Sequence, residues 1–418
     1  MNRRIKFALF VGCFLIVLDI YVFAALKTVI FKPLTKQIVT IVYWSISVIC
    51  IGTLLALPFL NYEKWNPQIR TNLFAAIFIL FLAKFLAVTI FIVDDLRRGI
   101  TWVIKKLFNT PTLANTNQTN GVKIPRSQFL SWLGLGVGGS LMATLFYGFS
   151  NRYNYKIHKT TLTFNNLPTA FDGFTIVQLS DIHSGSFTNK DSVAKGVVKA
   201  NDLKPDIIFF TGDLVNDKAT EIEPYKDLFN KLQAPHGVYS ILGNHDYGKY
   251  APWPTKQAED ENLAQLKAHH ADMGWKLLLN ENVKITKNNE HIALVGIENW
   301  GKGFFQFGDM KKAYNNVNPA DFTILLSHDP SHWSEQVLPD YKNIDLMLSG
   351  HTHGAQFGIE IPGLKWSPIQ WRYKQWAGLY TVNNQNLYVN RGFGFLGYPG
   401  RVGIMPEITH ITLRKATV

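Results

Sequence analysis

Apolar residues follow two regimes along this chain. Before residue 150 they form long stretches, at about 7–26, 38–60, 73–93 and 129–149, each long enough to cross a bilayer core as a helix. After residue 150 they shrink to runs of four or five residues at 175–179, 207–210, 238–242, 322–326 and 344–348. Short β-branched and aromatic runs bounded by Gly, Pro or Asp predict buried strands. Segments 155–158, 160–164 and 292–297 predict further strands, and 189–203, 219–233 and 257–273 predict helices between them. Four membrane helices followed by an α/β domain is the expected architecture.

Each of the five short runs ends in a polar stretch with metal-binding side chains. They read Ser180-Asp181-Ile182-His183, Gly212-Asp213-Leu214-Val215-Asn216, Gly243-Asn244-His245-Asp246, Ser327-His328-Asp329-Pro330 and Gly350-His351-Thr352-His353-Gly354. Open sheets place their sites outside the carboxyl ends of strands, so these stretches are expected to converge. Their mixture suits a pair of divalent ions, which can clamp the attacking and leaving oxygens of a phosphoryl transfer. One carboxylate can bridge two ions while imidazoles and a carboxamide oxygen complete the shells. Neutral His and Asn keep the total charge low enough to admit an anionic phosphate. A thiolate-free set rich in imidazole predicts two divalent ions drawn from Mn, Fe or Zn and argues against a pure Mg site.

Taken in order, the five stretches resemble the calcineurin-like metallophosphoesterases, whose pattern is D-x-H, G-D-x-x-[DN], G-N-H-[DE], H and G-H-x-H. The resemblance covers roughly residues 172–414 and implies a two-sheet α/β sandwich. It implies that Asp181, His183, Asp213 and His353 hold one metal, that Asp213 bridges, and that Asn244, His328 and His351 complete the second. It also implies that His245 protonates the leaving oxygen, with Asp246, next in the chain, as the candidate to orient it. Asn216 stands where many members carry an acid, at a position that is not a ligand.

Charge sharpens the division. The chain has 418 residues and a formal net charge of +12. Residues 1–150 carry 15 Lys+Arg against 4 Asp+Glu, whereas residues 151–418 are near neutral at +1. The basicity belongs to the membrane region, which removes the main argument for a nucleic-acid partner. The expected domains are therefore 1–150, with a basic amphipathic and linker segment at 96–125, and 151–418, the metallophosphoesterase domain. Cys13 and Cys50 both sit in apolar stretches and are too few for a disulfide framework or a thiolate metal site.

Within the membrane region, Asp19 and Lys84 fall at similar depth in the first and third spans. Intramembrane charges cost about 2.5–3.5 kcal/mol each on insertion scales. Either the two pair, or each meets water separately. Residues 96–108 alternate basic pairs with Trp102, Val103, Ile104, Leu107 and Phe108. They predict a helix lying on an anionic membrane surface, with an ordinary soluble helix as the alternative. Residues 109–122 read as a flexible linker. Pro125-Arg126-Ser127-Gln128-Phe129-Leu130 resembles a twin-arginine export signal, with Ser127 where the second arginine would stand. With 95–127 inside, cytoplasmic loops hold nine Lys+Arg against eight in the outer flanks. The expectation is an integral protein of a bacterial inner membrane, its catalytic domain on the non-cytoplasmic side.

Beyond the last motif the chain is rich in aromatics: Trp366, Trp371, Tyr373, Trp376, Phe393, Phe395 and Tyr398. They either pack a strand-rich C-terminal segment or form a lip near the membrane for a lipid-linked substrate. Arg391 is a candidate to meet a substrate phosphate. The overall arrangement resembles membrane-anchored bacterial phosphodiesterases that act on lipid precursors such as UDP-diacylglucosamine. Two alternatives stand beside that function: a tethered phosphatase or phosphodiesterase for soluble substrates, and a non-catalytic sensor or scaffold.

Overall fold

The computed structural model describes residues 3–62, 65–108 and 126–417. The linker expected at 109–122 and the start of the export-like stretch at Pro125 lie outside the described residues. Two compact units divide the chain at Tyr147 and Gly148.

The first unit holds α1 (Arg3–Val29), α2 (Pro33–Ala56), α3 (Pro67–Leu107) and most of α4 (Arg126–Gly148). Local signals set two of the starts. Pro33 and Pro67 occupy first-turn positions, where a missing N–H costs nothing, and Asn66 Oδ1 accepts the Gln68 N–H at 2.9 Å. All four are long and apolar enough to cross a bilayer. Asp19 and Lys84 do pair: the Lys84 ammonium meets Asp19 Oδ1, with Ser47 Oγ 3.0 Å away, and Tyr43 donates to the same Asp19 oxygen at 2.9 Å. The cost of burying either charge alone explains this four-residue cluster joining α1, α2 and α3.

The expected surface helix at 96–108 is a different object. Residues 67–107 form one unbroken helix of 41 residues, about 60 Å long and twice a bilayer core. Nothing at the junction interrupts the backbone ladder, and i,i+3 pairs Asp94–Arg97 and Asp95–Arg98 tie the apolar part to the basic part. The amphipathic stretch therefore continues the third span in line.

The second unit is a sandwich of two six-stranded sheets. One sheet orders β1 (Lys156–Phe164), β14 (Glu407–Lys415), β2 (Thr175–Leu179), β3 (Ile207–Phe210), β4 (Val238–Ser240) and β5 (Trp275–Leu277). The other orders β12 (Gly378–Val382), β13 (Gln385–Val389), β9 (Leu346–Ser349), β8 (Thr323–Leu326), β7 (Glu290–Gly296) and β6 (Glu281–Lys287). A separate hairpin pairs β10 (Ile359–Ile361) with β11 (Leu364–Trp366).

Period-two alternation explains the layering. Ile176, Ile207, Phe209 and Ile411 from one sheet meet Leu294, Ile324, Leu326, Leu346 and Leu348 from the other in a buried inter-sheet core. The alternate residues Val177, Leu179, Ile208 and Phe210 face outward and are covered by α5 (Lys190–Asp202), the short α6 (Lys226–Phe229) and α7 (Lys256–Asp272). The segment 219–233 breaks into two 3-10 turns and α6, and Pro224, which lacks an N–H, sits inside the break.

Candidate metal centre

The five polar stretches follow β2, β3, β4, β8 and β9, strands that run parallel within their sheets, so their carboxyl ends open together. The turns there are backbone-strained. Asp181, His183, Asp213, His351 and His353 all have left-handed φ, between 47° and 72°. Such conformations cost a non-glycine residue about 1–3 kcal/mol each and persist only where surrounding bonds over-determine them. Those bonds are present: the Asp181 N–H donates to Gly212 O at 2.9 Å and the His183 N–H to Asp213 O at 3.1 Å. Two glycines permit the close approach. A Cβ at Gly243 would strike the Asp213 carboxylate, and one at Gly350 would strike Ser180 and Asp181.

Two groups of donors result. Asp181, His183 and His353 form one, and Asp213, His328 and His351 the other, with ligand atoms in each within 4.8 Å of one another. Asp213 Oδ2 lies between them, 3.5 Å from His183 Nε2 and 3.1 Å from His328 Nε2. Asn244 Oδ1 joins the second group, 2.9 Å from His351 Nδ1. All seven residues expected as ligands are thus brought together.

The chemistry of this pocket fits divalent ions. Both ring nitrogens of His183 and the Nε2 atoms of His328 and His353 are buried without a hydrogen-bond partner, a costly state that a metal relieves. The 3.1 Å approach of His328 Nε2 to Asp213 is a charge contact without hydrogen-bond geometry. Burial opposes ionisation of Asp181 and Asp213, yet His353 and His328 respectively outweigh it, and both carboxyls are held well below their usual range. Burial, only partly opposed by Asp213, pushes His183 down to about 3, which keeps it neutral with a lone pair on one ring nitrogen. At His328 the Asp213 charge overcomes burial and pushes the imidazole up to about 10. The pocket attracts positive charge.

Two tyrosines outside the five motifs orient the second group. Tyr373 OH donates to Asp329 Oδ2 at 3.2 Å, so its oxygen accepts the His351 Nε2–H at 2.8 Å. This leaves His351 Nδ1 as a bare lone pair. Asn244 Nδ2 donates to Tyr250 OH at 2.9 Å, which turns Oδ1 toward that same Nδ1. Two acceptors face each other at 2.9 Å, an arrangement that a cation shared by both would relieve. Nothing in the spacing of Tyr250 or Tyr373 marks them in the sequence.

His245 stands apart from both groups. It is half-buried, its Nδ1 lies 2.7 Å from the Asn216 carbonyl, and its ring is 5.0 Å from that of His183. The residue that orients it is therefore Asn216, through its backbone, and not Asp246. The Asp246 carboxylate is occupied by the amides of Gly243, Asp213, Leu214 and Val215 at 2.8–3.3 Å, and it pins the Asp213 turn to the Asn244 turn. Burial and the neighbouring Asp213 charge push Asp246 up to about 7 despite those amides.

Arg391 also departs from expectation. It is 3% exposed, and its guanidinium is held by Glu407 at 2.6 Å and Glu360 at 2.5 and 2.9 Å, so it has no free edge for a substrate phosphate. A buried guanidinium needs such carboxylates, and Glu407 lies fully buried beside it. The aromatics divide. Tyr373, Trp376, Phe393 and Phe395 are packed inside, whereas Trp371 is exposed.

Comparison with known proteins agrees with this geometry. Residues 174–355 match the calcineurin-like phosphoesterase family, and residues 3–152 match a probable calcineurin-like phosphoesterase transmembrane domain. An uncharacterized metallophosphoesterase of Bacillus subtilis is 30% identical over 300 residues, covering 70% of this chain and 99% of that protein. A transmembrane protein with metallophosphoesterase domain from Danio rerio is 30% identical, covering 62% of this chain and 58% of its own length. The UDP-2,3-diacylglucosamine pyrophosphatase of Chlamydia trachomatis is 30% identical, covering 55% of this chain and 81% of that enzyme. With a donor-lined pocket at its strand ends and four apolar helices ahead of it, the chain belongs to the calcineurin-like metallophosphoesterases, among those that carry a transmembrane domain.

Proposed function

We propose that residues 151–418 form a binuclear phosphoesterase, anchored by residues 1–150, that hydrolyses a phosphoester or pyrophosphate bond in a lipid-linked substrate. The observation that carries the reading is the pair of donor groups on either side of Asp213, lined by buried imidazole nitrogens without partners. Asp181, His183, Asp213 and His353 would hold one ion, and Asp213, Asn244, His328 and His351 the other. Mn, Fe or Zn suits this O/N set. Such a pair, when bound, supplies Lewis-acid charge to the attacking and leaving oxygens of an in-line displacement at phosphorus.

The protein's own residues do the rest. The Asn216 carbonyl holds the His245 Nδ1–H, so Nε2 is the nitrogen presented to substrate. In the imidazolium form, Nε2 delivers its proton to the departing oxygen. Asp246 keeps the turns of Asp213 and Asn244 in register. The membrane region and the likeness to a pyrophosphatase of a diacylated sugar nucleotide both favour a lipid-linked substrate. Purified full-length protein, loaded with Mn, Fe or Zn, tests this on lipid-linked and soluble phosphoesters. Higher kcat/KM on the lipid-linked set is expected. Equal or better turnover of soluble esters would establish the tethered soluble-substrate enzyme instead.

Tyr373→Phe tests the second ion's seat. Without the phenol oxygen His351 loses the partner that fixes its tautomer, and such outer partners are worth about 10–100-fold in metal affinity. One ion of the two should weaken by that factor in calorimetric titration, the other should not. Equal affinities in wild type and variant would remove Tyr373 from this role.

The proposed location is a bacterial inner membrane, with the catalytic domain outside the cytoplasm. Single cysteines at Asn117 and Asn384, introduced after Cys13 and Cys50 are replaced, report the side through an impermeant thiol reagent on intact cells. Asn384→Cys should label and Asn117→Cys should stay silent. The reverse pattern places the enzyme in the cytoplasm.

A further inference from the structure

The β10–β11 hairpin is inverted. Its register sets Ile359 opposite Trp366, Glu360 opposite Lys365 and Ile361 opposite Leu364. Side chains alternate across a strand, so one face carries Ile359, Ile361, Leu364 and Trp366, and the other carries Glu360 and Lys365. The polar face is the one bonded to the protein, although Lys365 itself stays exposed. Glu360 is clasped by Arg391, while the Lys365 ammonium donates to Ala377 O and sits 4.8 Å over the Trp376 ring. Most of the apolar face is left out: Ile359, Ile361 and Leu364 are 45%, 57% and 49% exposed, while Trp366 is half-buried. Trp371 extends the patch at 77% exposure, its ring 6.2 Å from that of Trp366. A hairpin in water buries its apolar side, so this face is built for a non-aqueous neighbour.

The occupant is argued from the chain itself. This unit hangs from a membrane helix: α4 ends at Gly148 and β1 begins at Lys156, a tether that spans at most about 28 Å even fully extended. A bilayer crossed by α4 would therefore lie within reach of this unit. The composition of the patch suits a bilayer interface, where Trp is favoured. Exposed Arg372 and Lys374 follow Trp371 in the chain and complement anionic headgroups. We propose that the outer face of the β10–β11 hairpin, together with Trp371, inserts into the headgroup–acyl boundary of the membrane. The contact would place lipid close to the site, since only five residues separate the donor His353 from Ile359. The insertion stands independently of which phosphoester is cleaved.

Full-length protein in vesicles of phosphatidylethanolamine and phosphatidylglycerol tests it. With Cys13 and Cys50 replaced, a nitroxide is placed at Ile361→Cys and, as an aqueous control, at Asn384→Cys. The Ile361 label should be relaxed more by oxygen, which concentrates in lipid, than by a water-soluble nickel chelate. The Asn384 label should show the opposite order. An Ile361 label as open to nickel as the control would overturn the proposal, and so would one shielded from both agents, the mark of a protein neighbour or a second copy. A second measurement keeps both native cysteines. In vesicles of lipid brominated near the headgroup, wild type should show a quenchable tryptophan component that Trp371→Phe lacks. Identical quenching in the two proteins would overturn the insertion.

Discussion

Asp213→Asn is expected to cost more hydrolytic activity than any other single ligand change, about 10³-fold or more, the scale of several kcal/mol of lost transition-state charge stabilisation. Its Oδ2 is within 3.5 Å of an imidazole in each donor group, so losing its charge weakens both ion seats at once. Asn is nearly isosteric and keeps an oxygen that can accept the His245 backbone N–H, as Oδ1 does now at 2.8 Å. The turn should therefore survive, and the loss would report charge and not collapse. Metal analysis of the purified variant should show depletion of both sites. Two ions per chain with turnover near wild type would end the bridging assignment.

His245→Ala should behave differently. The side chain lies outside both donor groups, so metal content should stay intact. For esters with poor leaving groups kcat should fall about 10²-fold or more, the range expected when a positioned acid is removed. Esters with good leaving groups, which depart without a proton, should lose much less. The comparison separates acid catalysis from damage to the pocket, since a distorted metal site would slow both ester types alike. An equal loss on both would count against the general-acid role. Asn216 is not replaceable in the same way, because it acts through its carbonyl at 2.7 Å and any residue at that position supplies one.

Side-chain chemistry at the strand ends is legible in the sequence, because donor residue types recur there at short spacing and each follows a run of buried apolar residues. Which donors share a pocket is not legible. Asp181 and His353 are 172 positions apart, and Asp213 and His328 are 115 apart. Only the parallel pairing of β2 with β3 and of β8 with β9, and the stacking of the two sheets, brings them within reach. The roles of neighbours are hidden for the same reason. Asp246 is adjacent to His245 in sequence, yet its carboxylate serves amides 31–33 residues away. Arg391 has the chemistry of a phosphate ligand, but Glu360 and Glu407, on other elements, claim it.

The sequence by itself determined what depends on composition over a contiguous stretch. The four membrane helices need only enough apolar residues to match a bilayer's thickness, and the sheets need only short β-branched runs between turn residues. Tertiary structure decided what depends on direction and on distant partners. Left-handed backbone at Asp181, His183, Asp213, His351 and His353 is held by bonds between loops; Asp and His tolerate it better than most side chains, but that tolerance alone does not select it. Tyr250 and Tyr373 orient the second donor group through hydrogen bonds that only folding creates. The hairpin at 359–366 shows the same division. Alternation in its sequence defines an apolar and a polar face, but Arg391 and Ala377, holding Glu360 and Lys365, decide that the apolar one faces out.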